Sequence, residues 1–260
     1  MPKTGSIVVL AAGLMASILL PTSPLYGQPA GVDLSVKAGV GIEYLNRTLS
    51  WDENTFTSGL KGLLFALQAE VEVRKGLSVG IQAGYALSDF GGLIFRELPF
   101  SVEYQAGNMG GLYLGGSFKA RASISETFDI ELTAALDAYF GSRGEWDLEG
   151  LAVEGALEGR PFWTRIAVGP VLWYKGLSYY VYPYVQVLYT PLWGSFRMTE
   201  TVEALEGTEK KAVAGSGRVT ISLGVLSEIS DAIGIRAEVY AGPRKGGLDI
   251  GGSGRLIFSF

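Results

Sequence analysis

Two pairs of carboxylates stand two residues apart along the chain: Glu70 with Glu72, and Asp129 with Glu131. On a strand, which rises about 3.4 Å per residue, the members of each pair would share a face about 7 Å apart. That separation falls within the range of the acid–base pairs of glycosidases. Neighbouring acids on a polar strand face are commonplace, however, and no sugar-binding cleft is legible beside these. The chain holds no histidine and no cysteine. This removes Cys/His zinc sites, and it removes every mechanism that uses histidine as base or nucleophile. Gly251-Gly252-Ser253-Gly254 has the composition of a phosphate loop but lacks the following Lys-Ser/Thr and helix. Asn46-Arg47-Thr48 matches a glycosylation acceptor, a short pattern that carries no chemistry by itself. Glu145, Asp147, Glu149, Glu154 and Glu158 form one acidic stretch, and Glu200, Glu203, Glu206 and Glu209 another, without the ordered spacing of a calcium loop. The expectation is therefore a non-enzyme with no catalytic residue, metal or cofactor.

The elements carrying these residues alternate. In Leu77–Ser88 every odd position is apolar and every even one is Ser, Gly, Gln or Ala. A period of two puts one face against something apolar and the other against something polar. The same reading covers Val32–Leu45, Leu63–Arg74, Gly111–Ile124, Phe128–Phe140, Phe162–Tyr174, Leu177–Thr190, Gly217–Ile229, Ile233–Ala241 and Leu248–Phe260. These ten segments have the length of tilted membrane-crossing strands. Soluble sandwich strands are usually shorter. Composition agrees: 48% hydrophobic residues, 37 glycines and 18% charge, with no long apolar run after residue 30. A formal charge of −5 argues against a nucleic-acid partner.

At the start, Lys3 precedes an uncharged apolar stretch from Ser6 to Leu20, broken by Pro21 and Pro24 and followed by Leu25-Tyr26-Gly27. As a helix those fifteen residues span about 22 Å, short of a bilayer core. The order is that of a secretory signal. Residues 1–27 are read as a cleavable signal and 28–260 as a barrel domain, with Ala30 as the second candidate cleavage site.

Connections alternate strictly between tight and long. Lys75-Gly76, Ser125-Glu126-Thr127, Lys175-Gly176 and Ser230-Asp231-Ala232 are tight; Asn46–Gly59, Gly91–Gly107, Gly141–Arg160 and Pro191–Ser216 are long, and Gly242–Gly247 is short. All tight turns thus fall at one end, as in outer-membrane barrels, where short turns are periplasmic and long loops external. Tyr44, Tyr85, Phe140, Phe162 and Tyr189 fall at the loop end of their strands, and Phe128, Tyr174, Tyr179 and Phe260 at the turn end, as two aromatic girdles would. The second long loop, with Leu93, Phe95, Leu98 and Phe100, is too apolar for plain solvent exposure; it extends a hairpin, folds over the mouth, or meets an apolar ligand. Pro170 and Pro183 interrupt adjacent strands, where a bulge is expected.

The chain ends with Leu256, Phe258 and Phe260 in alternation. This motif resembles the C-terminal strand signal by which the barrel-assembly machinery recognises its clients. With the signal segment and hairpin spacing, the mature chain resembles the small outer-membrane barrels of the OmpA-membrane-domain, Opa and OmpW kind. The resemblance implies a closed antiparallel up-and-down all-β barrel in the cell outer membrane, with lipid around it and a surface ligand possible at the loops. Those relatives have eight strands, whereas ten are counted here; Phe162–Tyr174 is the weakest, because both its faces are apolar.

On the inner faces the pattern places a charge network: Asp33, Lys37, Glu70, Glu72, Lys119, Arg121, Asp129, Glu131, Arg165, Arg236, Glu238 and Arg255. Counting around Ser125–Thr127 sets Arg121 opposite Glu131. Barrels of about eight strands can be filled by side chains, while sixteen leave a channel. Salt-bridged filling makes a structural or surface-interaction barrel; a wet path would make a narrow porin-like channel or an OmpW-like conduit for small or apolar solutes. Edman sequencing of the membrane-extracted protein should begin at Gln28. Retention of residues 1–27 would refute the signal assignment.

Overall fold

A computed structural model describes residues 35–51, 56–104, 107–147, 155–244 and 246–260. The expected signal segment, Asp33, Glu149 and Glu154 lie outside the described residues. Every regular element among the described residues is a strand: β1 (Ser35–Trp51), β2 (Phe56–Arg74), β3 (Leu77–Gly91), β4 (Leu93–Phe95), β5 (Val102–Tyr104), β6 (Met109–Ser123), β7 (Phe128–Gly141), β8 (Gly144–Asp147), β9 (Gly155–Tyr174), β10 (Val181–Tyr189), β11 (Leu192–Val202), β12 (Leu205–Gly215), β13 (Val219–Ser230), β14 (Ile233–Arg244) and β15 (Gly247–Ser259).

Ten of these form the wall, in the order β1, β2, β3, β6, β7, β9, β10, β13, β14, β15, each antiparallel to the next. β15 returns to β1, setting Lys37 opposite Ser259 and Leu45 opposite Gly251, so the sheet has no free edge. The expected ten-strand count holds. Phe162–Tyr174 belongs to the wall because Trp163, Val171 and Trp173 point inward and are buried.

Around the turn-side part of the wall, outward positions are large, apolar and exposed on strand after strand. Examples are Val40 and Ile42, Phe65 and Leu67, Ile81, Leu114, Leu132, Leu172, Val187, Leu223 and Val239. Such a continuous belt far exceeds the few hundred Å² of exposed apolar patch found on a soluble monomer. Toward the loop end the polarity inverts. Leu45, Leu49 and Trp51 on β1, Leu60 and Leu64 on β2, and Ala86 and Phe90 on β3 are apolar, inward and buried, while Thr57, Lys61 and Arg160 face solvent.

Four expectations are corrected. First, the fourth connection is a hairpin, not a loop: β11 pairs with β12 and with the upper half of β9, and β12 reaches β1 at Leu49↔Gly215 and Ser50↔Ala214. The ring therefore closes over eight strands above the ten-stranded wall, bypassing β10, β13, β14 and β15. Glu200 and Glu209, which fall in that expected loop, are 0% and 5% exposed because they sit on the hairpin's inner face. Second, β10 begins at Val181, so Tyr179 and Tyr180 lie on the turn and are exposed rather than in the wall. Third, register shifts fall at Glu72/Arg74 and Glu228/Ser230 rather than at the prolines. At Pro170, which has no N–H, the β9–β10 ladder instead skips from Gln186↔Val171 to Tyr189↔Val168. Fourth, Arg218, which the alternation along Gly217–Ile229 would put on the inner face, is exposed.

A side chain has no room at Gly84 on the inner face of β3, where a Cβ would lie 1.9 Å from the Phe65 carbonyl oxygen of β2. Gly84→Val should therefore abolish assembly of the folded barrel, and circular dichroism of refolded protein would report it. Recovery of the native β spectrum would show that β2 and β3 can separate there.

Candidate functional site

The inner wall carries a polar layer centred on Arg165 of β9. Its guanidinium donates to both carboxylate oxygens of Glu43 on β1, at 2.6 and 3.0 Å, and twice to Asp137 of neighbouring β7, at 3.1 and 2.7 Å. β1 and β9 stand five strands apart whichever way the ring is followed, so the Arg165–Glu43 pair spans the lumen. Glu43 also accepts from the Tyr240 hydroxyl of β14 at 2.9 Å, and Asp137 accepts from Gln82 of β3 at 2.6 Å. Gln68 of β2 donates to Gln82, and Gln82 to the Tyr113 hydroxyl of β6.

A second layer lies toward the turns. Lys119 pairs with Glu70 across β3. The Tyr184 hydroxyl accepts from Arg236 and donates to Glu238, both at 2.6 Å, while Gln186 donates to the other Glu238 oxygen at 2.6 Å. Trp173 packs against Tyr184 with ring centroids 4.4 Å apart and planes tilted by 41°, and receives the guanidinium groups of Arg121 and Arg236 at 4.7 and 5.5 Å.

Of the expected network, Lys37, Glu70, Glu72, Lys119, Arg121, Glu131, Arg165, Arg236, Glu238 and Arg255 all line the lumen. Arg121 does lie opposite Glu131 in register, but its ion pair is with Asp129 at 3.0 Å, which also binds Lys175 at 2.5 Å. Among the described residues, Glu131, Lys37 and Arg255 have no oppositely charged group within 4 Å. Sequence reasoning missed Arg47, taken as loop. It is 2% exposed, pairs with Asp249 at 3.4 Å, and donates to the carbonyls of Thr190 and Gly217 at 3.0 and 2.6 Å. Those carbonyls mark where the β11–β12 hairpin leaves and rejoins the wall. The available signal was parity, since Glu43, Leu45, Arg47 and Leu49 continue one inward series.

Two chambers remain between the layers. One of about 150 Å³ runs from Glu43, Arg47 and Arg165 to Glu70, Lys119 and Arg236. The other, about 220 Å³, continues to Gly76 and Asp231 at the turns, and the two share Gln68, Glu70, Lys119, Glu131, Arg236 and Arg255. Both are polar and roomy enough for ordered water. The loop end is apolar. Tyr113, Tyr139 and Trp163 lie above Arg165, and over them Phe90, Phe95, Phe196 and Met198 form one buried cluster. The second long loop folds over the mouth, as one of its three expected readings had it. Leu93, Phe95 and Tyr104 are buried, and the amides of Glu97 and Phe100 donate to the buried carboxylates of Glu209 and Glu200, at 2.8 and 2.9 Å. Burial, and after it the nearby Asp89 carboxylate, raises the Tyr104 phenol above its ordinary pKa.

No family model matches the chain, and no curated protein does. Solved structures do. The chain is similar to the outer-membrane protease OmpT of Escherichia coli (8% identity, 88% of this chain and 98% of that one, TM-score 0.47). It is similar to the translocator domain of the autotransporter NalP of Neisseria meningitidis (12%, 99% and 96%, 0.43). It is also similar to an outer membrane channel of Pseudomonas putida F1 (11%, 92% and 100%, 0.37). These are likenesses of fold.

Removing Arg165 leaves two buried carboxylates facing each other. Arg165→Met should cost roughly 3–5 kcal/mol in urea unfolding. Adding Glu43→Gln and Asp137→Asn to Arg165→Met should restore much of it, since the uncompensated charges are then gone. A neutral effect of Arg165→Met alone would show that water already screens the pair.

Proposed function

We propose that this chain is an outer-membrane barrel whose lumen does not conduct and which acts through its closed, structured loop end. The observation that carries the reading is the double barrier: the Arg165–Glu43 brace across the lumen, and above it the apolar cap completed by β11–β12 and β4–β5. Water and ions would have to cross both. The apolar belt supports placement in lipid, since strands cross a bilayer only as a closed barrel. In that placement the turn end is periplasmic, the Leu256, Phe258 and Phe260 alternation serves the assembly machinery, and residues 1–27 direct export. The likeness to OmpA-, Opa- and OmpW-type barrels extends to this general role, although the wall has two more strands.

A narrow channel is the second reading, and the two chambers are what favours it. Their lining suits small polar solutes rather than apolar ones, and their path ends beneath Tyr113, Tyr139 and Trp163. An enzyme is not part of the proposal.

Planar-bilayer recording is the test. The wild-type barrel and Arg165→Ala should both show no steady conductance, because the cap remains. Arg165→Ala combined with replacement of residues 92–104 by a short glycine–serine linker should conduct. Steady single-channel current from the wild type would overturn the closed-barrel reading in favour of the channel.

A further inference from the structure

The outward face of the upper wall carries an arrangement that the lumen and the cap do not use. Arg197 of β11 lies directly opposite Arg160 of β9 on one side and Lys210 of β12 on the other. All three are exposed, so three cations stand side by side across three adjacent strands. At the spacing of paired strands the row is about 10 Å wide. Like charges directly opposite each other are destabilising. Among the described residues none of the three has a carboxylate within 4 Å.

The same rim shows how this fold treats facing like charges elsewhere. Glu145 of β8 is directly opposite Glu158 of β9. There Arg143 bridges both, at 3.1 and 2.5 Å. Among the described residues no anion performs that service for the cationic row.

Height fixes the partner. Phe162 is outward on β9 two residues below Arg160, and its ring packs on Phe140 at a centroid distance of 5.3 Å. These rings top the apolar belt, so the row stands about 7 Å beyond them by strand rise. Headgroups begin where the aromatic girdle ends. We propose that Arg160, Arg197 and Lys210 form a docking row for the phosphate groups of acylated lipids in the surrounding leaflet, with the acyl chains lying on the belt below. Guanidinium groups bind phosphate bidentately and lysine adds a point charge. The lipid phosphate thus serves as the counter-ion that relieves the repulsion. The inference rests on the bilayer placement proposed above.

The test uses the mature chain in neutral detergent, mixed with an acylated, diphosphorylated glucosamine disaccharide, with bound lipid counted by native mass spectrometry. The variant R160Q/R197Q/K210Q should bind this lipid about tenfold or more weakly than wild type, as expected for loss of several charge-assisted hydrogen bonds. Lys61→Gln, which removes a cation elsewhere on the rim, should bind as wild type does. Added salt should weaken the wild type more than the triple variant. Should the triple variant not fold by circular dichroism, Arg197→Gln removes the central cation and reads the same loss. Equal binding by the folded variant overturns the proposal. So does full displacement of the lipid by equimolar inorganic phosphate, which would make the row a site for free anions. Insertion of the wild type into phosphatidylcholine vesicles reads the bilayer placement separately. Insertion without preference for the phosphorylated lipid sinks the docking row alone, and failure to insert sinks both.

Discussion

Each long strand of this barrel must satisfy two opposite surroundings along its length, and the rest of the architecture follows from where the change occurs. On β1 the outward series Val36, Val40, Ile42 and Tyr44 is apolar, while the inward Lys37 and Glu43 are charged. Two residues beyond Glu43 the inward series turns to Leu45, Leu49 and Trp51. Below the change the wall is that of a membrane barrel; above it, that of a soluble protein with an internal core. An internal core must be filled at close packing, and ten strands enclose more space than side chains of one wall fill. The β11–β12 hairpin answers this by drawing the ring in to eight strands. The β4–β5 segment answers it by laying Leu93 and Phe95 into what remains.

Hydrogen-bonded cations hold the junction between the two regimes. Arg47 sits at the level of the change and binds the carbonyls of Thr190 and Gly217, the two points where the hairpin departs from the wall. Those carbonyls lose their ladder partners where the strands diverge, and a buried unpaired carbonyl is costly. Arg165, just below, ties opposite sides of the ring through Glu43 and Asp137. Buried ion pairs are weak sources of net stability, because desolvation offsets the attraction. Their effect here is on geometry: a guanidinium with fixed donor directions and carboxylates from β1 and β7 admits one register across the lumen.

The wall was legible in the sequence because the belt imposes a strict period of two, and because Lys75-Gly76 and Ser230-Asp231-Ala232 mark the turns. Inner-face residues such as Lys119, Arg236 and Glu238 followed from parity. The upper strands were not legible as strands. At Leu45 and Ser88 the apolar residues move from the outward to the inward series, and a pattern that shifts phase by one residue reads as the end of a strand. Arg47 was lost to a loop for that reason. Glu200 and Glu209 misled in another way: their charge suggested solvent, but each accepts an amide from the β4–β5 segment. The pairing of Arg121 with Asp129 rather than Glu131 lay beyond reach as well, because register fixes opposite backbones and not which carboxylate a long side chain meets.

The asymmetry between the two ends has a physical origin in these same residues. The turn end needs no cap: its inner residues are charged, and its chamber of about 220 Å³ reaches Asp231 and Gly76 and leaves polar space beside Lys37, Glu131 and Arg255, which have no ion-pair partner among the described residues. The loop end cannot remain open in that way, because its inner residues are leucines, phenylalanines and tryptophans that gain by excluding water. Opening the loop end would expose Phe90, Phe95 and Phe196 together and strand the Glu200 and Glu209 carboxylates without the amides they now bind. The apolar cap at one end and the polar chamber at the other are thus two consequences of one inversion in the strand pattern.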